Sequence, residues 1–209
     1  MNANILTKIK NLCDKDDKNS AATLAEIKKL VKNADYPDFS TIKDGDHFEY
    51  RGHEWVRLGR EGGGILCVVA KESKDTPFNP DCDNDWRKSA IRKALNTQFI
   101  KTLDEDKLIP YASDLVADNG DDRYGKCEDK VFILSCDLIR KYRKVLPKWK
   151  NWVWTLTPWY INDSGNGCHV RIFYPSGYLA TTVRTTVAES PRLVSSSKNL
   201  KIPFRTVIL

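Results

Sequence analysis

The chain has no C-x-x-C pair, and its longest apolar runs, Ile65–Ala70 and Val131–Leu134, are short. A membrane-spanning helix needs about 18 consecutive apolar residues, so none is expected. The six cysteines (Cys13, Cys67, Cys82, Cys127, Cys136 and Cys168) are scattered, the nearest two, Cys127 and Cys136, lying nine positions apart. Structural zinc sites draw their ligands from close pairs, so this spacing argues against one. There is no Walker loop, no dinucleotide fingerprint, no H-E-x-x-H and no evident pair of catalytic carboxylates. The N-terminus lacks an apolar stretch of signal-peptide length. Synthesis and retention in a reducing cytosol is the corresponding expectation, with free thiols throughout. No cofactor and no metal is implied.

What is present is a chain of 209 residues, 41% hydrophobic, 30% charged and 10% aromatic. That length supports a real core without disulfides, and the composition excludes disorder and fibrous repeats. The net charge is +6, unevenly spread. Residues 1–46 are neutral, whereas residues 151–209 carry six basic side chains against Asp163 and Glu189. The bias suits an anionic partner, or an ordinary solvated surface.

Residues 3–33 read as two short helices. Ile5, Ile9, Leu12 and Cys13 recur at helical spacing, and Leu24, Ile27, Leu30 and Val31 form a second stripe. Between them lies polar Asp14–Ser20, and Thr23-x-x-Glu26 fits a capping box. This arm is either a small hairpin or an adaptor and oligomerisation element. From Gly45 the pattern changes to strands at Phe48–Tyr50, Glu54–Leu58 and Ile65–Ala70. Gly62-Gly63-Gly64 reads as a hairpin turn, because no strand–loop–helix context or G-K-[ST] accompanies it. Over residues 86–99, Ile91, Leu95 and Phe99 predict a helix with one buried face. A shorter helix is expected over Asp104–Ile109, a loop over Ser113–Asp129, a strand over Val131–Ser135 and a helix over Cys136–Arg143. Later strands are expected at Trp152–Leu156, His169–Phe173, Tyr178–Val183 and Phe204–Leu209. Residues 181–198, rich in Ser and Thr, form a polar strand or an exposed loop.

Three groups of residues could carry chemistry. The histidines are His47, His53 and His169. Neighbours in a strand face opposite ways, so Cys168 and His169 would not form a nucleophile–base pair; Cys82 or Cys127 could meet a histidine only in space. Asp118, Asp121 and Asp122 could bind calcium, although their spacing is not that of an EF-hand. The basic segment 139–150 mixes Arg140, Lys141, Arg143, Lys144, Lys148 and Lys150 with Tyr142 and Trp149. Cations meeting phosphates and rings stacking on bases would make it a nucleic-acid surface; otherwise it is a solvated helix face and loop.

The densest feature is aromatic: Trp149, Trp152, Trp154, Trp159 and Tyr160. Trp152 and Trp154 alternate and would share one face of a strand, in the core. Trp159 and Tyr160 follow Pro158 beside Asn162, Asp163, Ser164 and Asn166. Rigid rings beside short hydrogen-bonding side chains make a recognition surface, or else a polar loop with two partly buried aromatics.

Several stretches together resemble a known pattern. Trp86-x-x-Ser89-x-Ile91-Arg92-x-x-Leu95-Asn96-x-x-Phe99 resembles W-x-x-S-x-[LI]-R-x-W-L-N-x-x-F. Asp129-Lys-Val-Phe-Ile-Leu-Ser135 resembles D-K-V-F-L-L-S, Trp154-Thr-Leu-Thr-Pro158 resembles W-L-R-S-P, and Phe204-Arg-Thr-Val-Ile-Leu209 resembles the close of G-V-R-P-A-L-W-L. These motifs belong to an uncharacterised domain family of gut bacteria and their phages. The resemblance covers residues 44–209 and departs at Leu156, Pro203 and Thr206, where the pattern has arginine, glycine and proline.

The resemblance implies an α+β chain with a C-type-lectin-like domain: small twisted antiparallel sheets with two main helices, similar to phage receptor-binding proteins and the variable proteins of diversity-generating retroelements. It divides the chain into a helical arm, 1–43, and a ligand-binding domain, 44–209, displaying Trp159–Lys198. The related formylglycine-generating enzymes use a close cysteine pair that this sequence lacks, so the expectation is a non-enzymatic module. Its ligand would be a bacterial surface glycan or protein, met by Trp159, Tyr160, Asn162, Asn166, His169, Arg171, Tyr174 and Tyr178. Arg171 and Tyr174 fall on opposite faces of a regular strand. The arm would contact other virion proteins, a homotrimer is one expected assembly, and no membrane is involved. The alternatives are an intracellular regulator binding nucleic acid or a host protein through residues 139–150, and an enzyme, which a buried Cys–His contact would revive.

Overall fold

The computed structural model describes residues 3–13, 20–34, 36–71, 77–162, 167–184 and 206–208. The chain is α+β, with three antiparallel sheets among these residues. It opens with helices α1 (Ala3–Cys13) and α2 (Ser20–Ala34), which contact each other. Helix α2 starts three residues before the expected cap, so Thr23 and Glu26 lie within the helix. Its apolar stripe is only partly covered: Leu24 is 51% and Val31 41% exposed.

The chain meets the β-rich body at Tyr36, whose ring packs edge-on against Tyr50, as Phe39 packs against Phe48. The Arg57 guanidinium binds the carbonyls of Phe39 and Ile42 and the Asp44 carboxylate, fastening this entry segment to the sheet. One buried cation thereby satisfies carbonyls that no strand pairs.

The largest sheet runs in the order β1 (His47–Tyr50), β2 (His53–Glu61), β3 (Gly64–Val69), then β10 (Thr206–Ile208) and β6 (Val131–Phe132). Strand β3 is buried at all six positions, which explains its unbroken apolar sequence: a central strand covered on both faces does not alternate. Gly62 and Gly63 turn β2 into β3 at positive φ, in keeping with the hairpin expectation. Strand β10 completes the sheet centre, pairing with β3 and β6. Gly59, at the β2 irregularity, has a different purpose. A Cβ there would lie 2.6 Å from the Tyr142 ring, which crosses the strand at that point.

The helix expected over 86–99 is a composite: a 3₁₀ turn at Trp86–Lys88, α3 (Ala90–Ala94) and a π turn at Leu95–Phe99. Ile91, Leu95 and Phe99 are buried as the spacing predicts. Ser89 caps α3 by accepting from Arg92 N at 3.0 Å. In place of the expected 104–109 helix there is a single 3₁₀ turn, Glu105–Lys107.

The segment expected as a loop, 113–129, contributes a two-stranded sheet, β4 (Tyr111–Asp114) with β5 (Lys126–Asp129). Its inward positions include Ser113 and Asp129, so polar residues occupy the face where an apolar alternation would have signalled strands. Asp129 explains itself structurally. It accepts Trp86 Nε1 and Arg92 Nε, both at 2.9 Å, while Asn96 Nδ2 donates to Val131 O at 2.8 Å. The conspicuous Trp, Arg and Asn of the helix motif thus form one buried polar joint with the strand motif that begins at Asp129.

Helix α4 (Cys136–Tyr142) is capped by Ser135 and packs on β7 (Val153–Pro158). Strands β7, β8 (His169–Phe173) and β9 (Leu179–Arg184) form the third sheet. The Trp152 and Trp154 rings meet edge-on at 4.8 Å, Trp154 buried and Trp152 partly so.

Candidate functional site

Strand β7 ends at Pro158, and the next residue, Trp159, leaves the core with 42% of its surface exposed. Its ring meets Tyr160 at 5.1 Å and His169 at 5.9 Å, both edge-to-face. That geometry sets the positive edge of one ring against the negative face of another. Trp159 N donates to His169 O at 3.0 Å, binding the two sides of the loop base.

Beneath this surface lies a residue that the sequence does not single out. Asn84 is fully buried and every polar group of its side chain is used. Its Nδ2 donates to the carbonyls of Tyr160 (3.0 Å) and His169 (2.8 Å), and its Oδ1 accepts from Tyr124 OH at 2.8 Å. Its backbone N–H donates to Gly167 O at 2.7 Å. Gly167 has no room for a side chain: a Cβ would fall 2.6 Å from Tyr160 O and 2.7 Å from Asn84 Nδ2. Outside this clamp, Arg123 Nη2 donates to Ile161 O (2.8 Å) and Asn162 O (3.1 Å). Asp121 holds that guanidinium at 2.6 Å and its own carboxyl is pushed below the usual range by Arg123. Asp118 N donates to Pro158 O at 2.9 Å.

A covalent link reinforces the same place. Cys82 and Cys168, 86 residues apart, form a disulfide, which corrects the expectation of free thiols throughout. The fold supplies a pair that no local spacing announces. The three buried thiols have other partners: Cys67 the Ile65 carbonyl, Cys127 the Asp129 carboxylate and Cys136 the Thr155 hydroxyl. Burial pushes all three thiols up, Cys127 to about 11. They stay protonated at neutral pH, the unreactive form.

The eight expected ligand-binding residues do not converge. Trp159, Tyr160 and His169 form one cluster, and the backbone carbonyl of Asn162 is held nearby by Arg123. Asn166 lies outside the described residues, as does all of the Trp159–Lys198 stretch beyond 184. Arg171 faces inward toward Asp118, 3.6 Å away, with only 17% of its side chain exposed. Asp118 also meets Arg140 at 3.8 Å. Tyr174 and Tyr178 stack at 5.4 Å, at the far end of β8. Five residues of strand separate His169 from Tyr174, about 16 Å.

The calcium alternative loses its ligands to arginines, since Asp118 and Asp121 are both ion-paired. No group of three or more candidate ligands is assembled for a metal among the described residues. In the basic segment the rings are occupied. Trp149 is buried with Nε1 3.4 Å from Val69 O, and Tyr142 OH donates to Arg60 O and Glu61. Trp149, being buried, is not placed to stack on a base. No helix among the described residues is long and apolar enough to cross a membrane. No protein-family model, no curated protein and no solved structure matches this chain.

Proposed function

We propose that this chain is a non-enzymatic recognition module with a C-type-lectin-like fold, of phage or prophage origin, which binds a glycan or protein on a bacterial surface. The observation that carries this reading is the exposed Trp159 on a loop base held by the Asn84 clamp and the Cys82–Cys168 disulfide. An exposed indole offers a large rigid contact area, and a base already ordered loses little entropy on binding. Trp159 and His169 supply faces for a sugar ring or an apolar side chain, with the Asn162 side chain at the rim. A disulfide persists in oxidising surroundings, which suits a particle-borne protein better than a cytosolic regulator. The partly exposed stripe of Leu24, Ile27, Leu30 and Val31 on α2 is where other virion proteins, or copies of this chain in a trimer, would dock.

The test compares the wild type with a Trp159→Ala, Tyr160→Ala double variant in binding to intact gut-bacterial cells and to immobilised glycans. Saturable binding by the wild type, lost in the variant while the thermal unfolding midpoint holds within a few degrees, is the expected result. Equal binding by both proteins sinks the assignment. A variant that unfolds makes these rings core residues rather than contact residues.

A further inference from the structure

The basic segment 139–150 is not absorbed by the Trp159 surface, and its loop lines a separate cavity of about 540 Å³. That volume is in the range of small-molecule sites. The cavity lies where the start of β1, the strand β2 and the end of β3 meet residues 144–148. Lys71, Lys144 and Lys148 and the His47 imidazole line it, with Glu54 the single carboxylate. Glu54 is already engaged: His47 Nδ1 lies 2.8 Å from Oε1 and Lys71 Nζ 3.0 Å from Oε2. Both contacts hold its carboxyl below the usual range, so it stays ionised, with Lys71 offsetting its charge. Lys144 and Lys148 have no ion pair among the described residues. Counting Lys71, Lys144 and Lys148 against Glu54, the lining has two more positive charges than negative, with His47 neutral. The remaining lining is apolar, from Ala70, Val145, Leu146 and Pro147.

We infer that this cavity binds a small organic anion, a phosphate or carboxylate head carried on an apolar body, with Lys144 and Lys148 taking the head and Val145–Pro147 the body. The pattern fits an amphipathic ligand better than a nucleic-acid track. A track needs rings open to bases, and both rings of the segment, Tyr142 and Trp149, are used in the fold. The site is independent of Trp159, so loss of one leaves the other.

The experiment is a titration of the full chain, followed by ¹H–¹⁵N spectra, with phenyl phosphate, benzoate, inorganic phosphate and a ten-nucleotide oligothymidylate. Phenyl phosphate or benzoate is expected to bind saturably and to shift the amide signals of His47, Lys71, Lys144, Val145, Leu146 and Lys148, with inorganic phosphate weaker. Lys144→Ala with Lys148→Ala is expected to weaken that binding at least about tenfold, the loss of a charge-assisted contact. Lys144→Arg with Lys148→Arg should retain most of it, and Trp159→Ala all of it. Three results overturn the inference: unchanged affinity in the double alanine variant, binding of the oligonucleotide without either organic anion, or no saturable binding of any probe.

Discussion

At its His169 end, β8 meets Trp159 and Tyr160 over a base tied by a disulfide, by four hydrogen bonds of Asn84 and by the Arg123 guanidinium. At its Phe173 end, Tyr174 and Tyr178 stack across a turn closed by its own backbone, Tyr174 N to Tyr178 O at 3.0 Å and Gly177 N to Tyr174 O at 2.8 Å. Both ends expose aromatic rings, Tyr178 more than Trp159. Distant parts of the chain pack against both ends, Tyr174 against the core and Phe173 against Trp149, but the first end is also tied by a disulfide and by long-range hydrogen bonds of Asn84 and Arg123. Exposure alone therefore does not distinguish a recognition surface from a hairpin tip. The long-range anchoring is what sets the proposed recognition surface at Trp159 apart, because it holds ring positions without help from the local turn.

Three experiments bear on that contrast. The largest effect is expected from Asn84→Ala. It strands the Tyr160 carbonyl and the Tyr124 hydroxyl and removes one of the two donors to the His169 carbonyl, which keeps Trp159 N, at about 1–1.5 kcal/mol for each lost contact. A loss of about 4 kcal/mol should lower the unfolding midpoint by about 8–16 °C. Calorimetry reads this directly, and a shift of a degree or two would mean that the loop base is wetter than the burial of Asn84 implies. Next comes the joint change of Cys82→Ser and Cys168→Ser. A disulfide typically contributes about 2–4 kcal/mol, and the wild type treated with reductant should fall to the same midpoint as the variant. Identical melting with and without reductant would remove the covalent half of the contrast. The smallest effect is expected from Tyr178→Ala, which loses one stacked contact worth about 1 kcal/mol. Should that change rival Asn84→Ala in cost, the two ends would be equally anchored and the contrast would fail.

A second contrast runs through the polar interior. Asp129 joins Trp86 and Arg92, whereas Asn84 joins Tyr124 to two loop carbonyls. The first joint connects residues that stand out as motifs in the sequence. In the second, neither Asn84 nor Tyr124 does. Asn84 sits in Asp83-Asn84-Asp85, which reads as a polar loop, and nothing local separates it from its neighbours. Arg123 and Tyr124 likewise lie in the stretch expected as a loop. The residues that position the candidate site were thus the hardest to find. Their signal is a set of hydrogen bonds 38 to 85 residues apart in sequence.

By itself the sequence determined whatever depends on near neighbours. The continuous apolar run of β3, the Ile91–Leu95–Phe99 face, the Ser135-led helix α4 and the strand His169–Phe173 all follow from periodicity and capping, which act over a few residues. The order of aromatics near Trp159 was legible for the same reason. Tertiary structure decided the rest. It paired Cys82 with Cys168, turned Arg171 inward to Asp118, set Trp159, Tyr160 and His169 at one end of β8 and Tyr174 and Tyr178 at the other, and built β4 and β5 around inward polar side chains. Each of these depends on which distant groups satisfy one another once water is excluded. A buried donor or a thiol finds its partner by position in the fold, and position in the fold is not a local property of the chain.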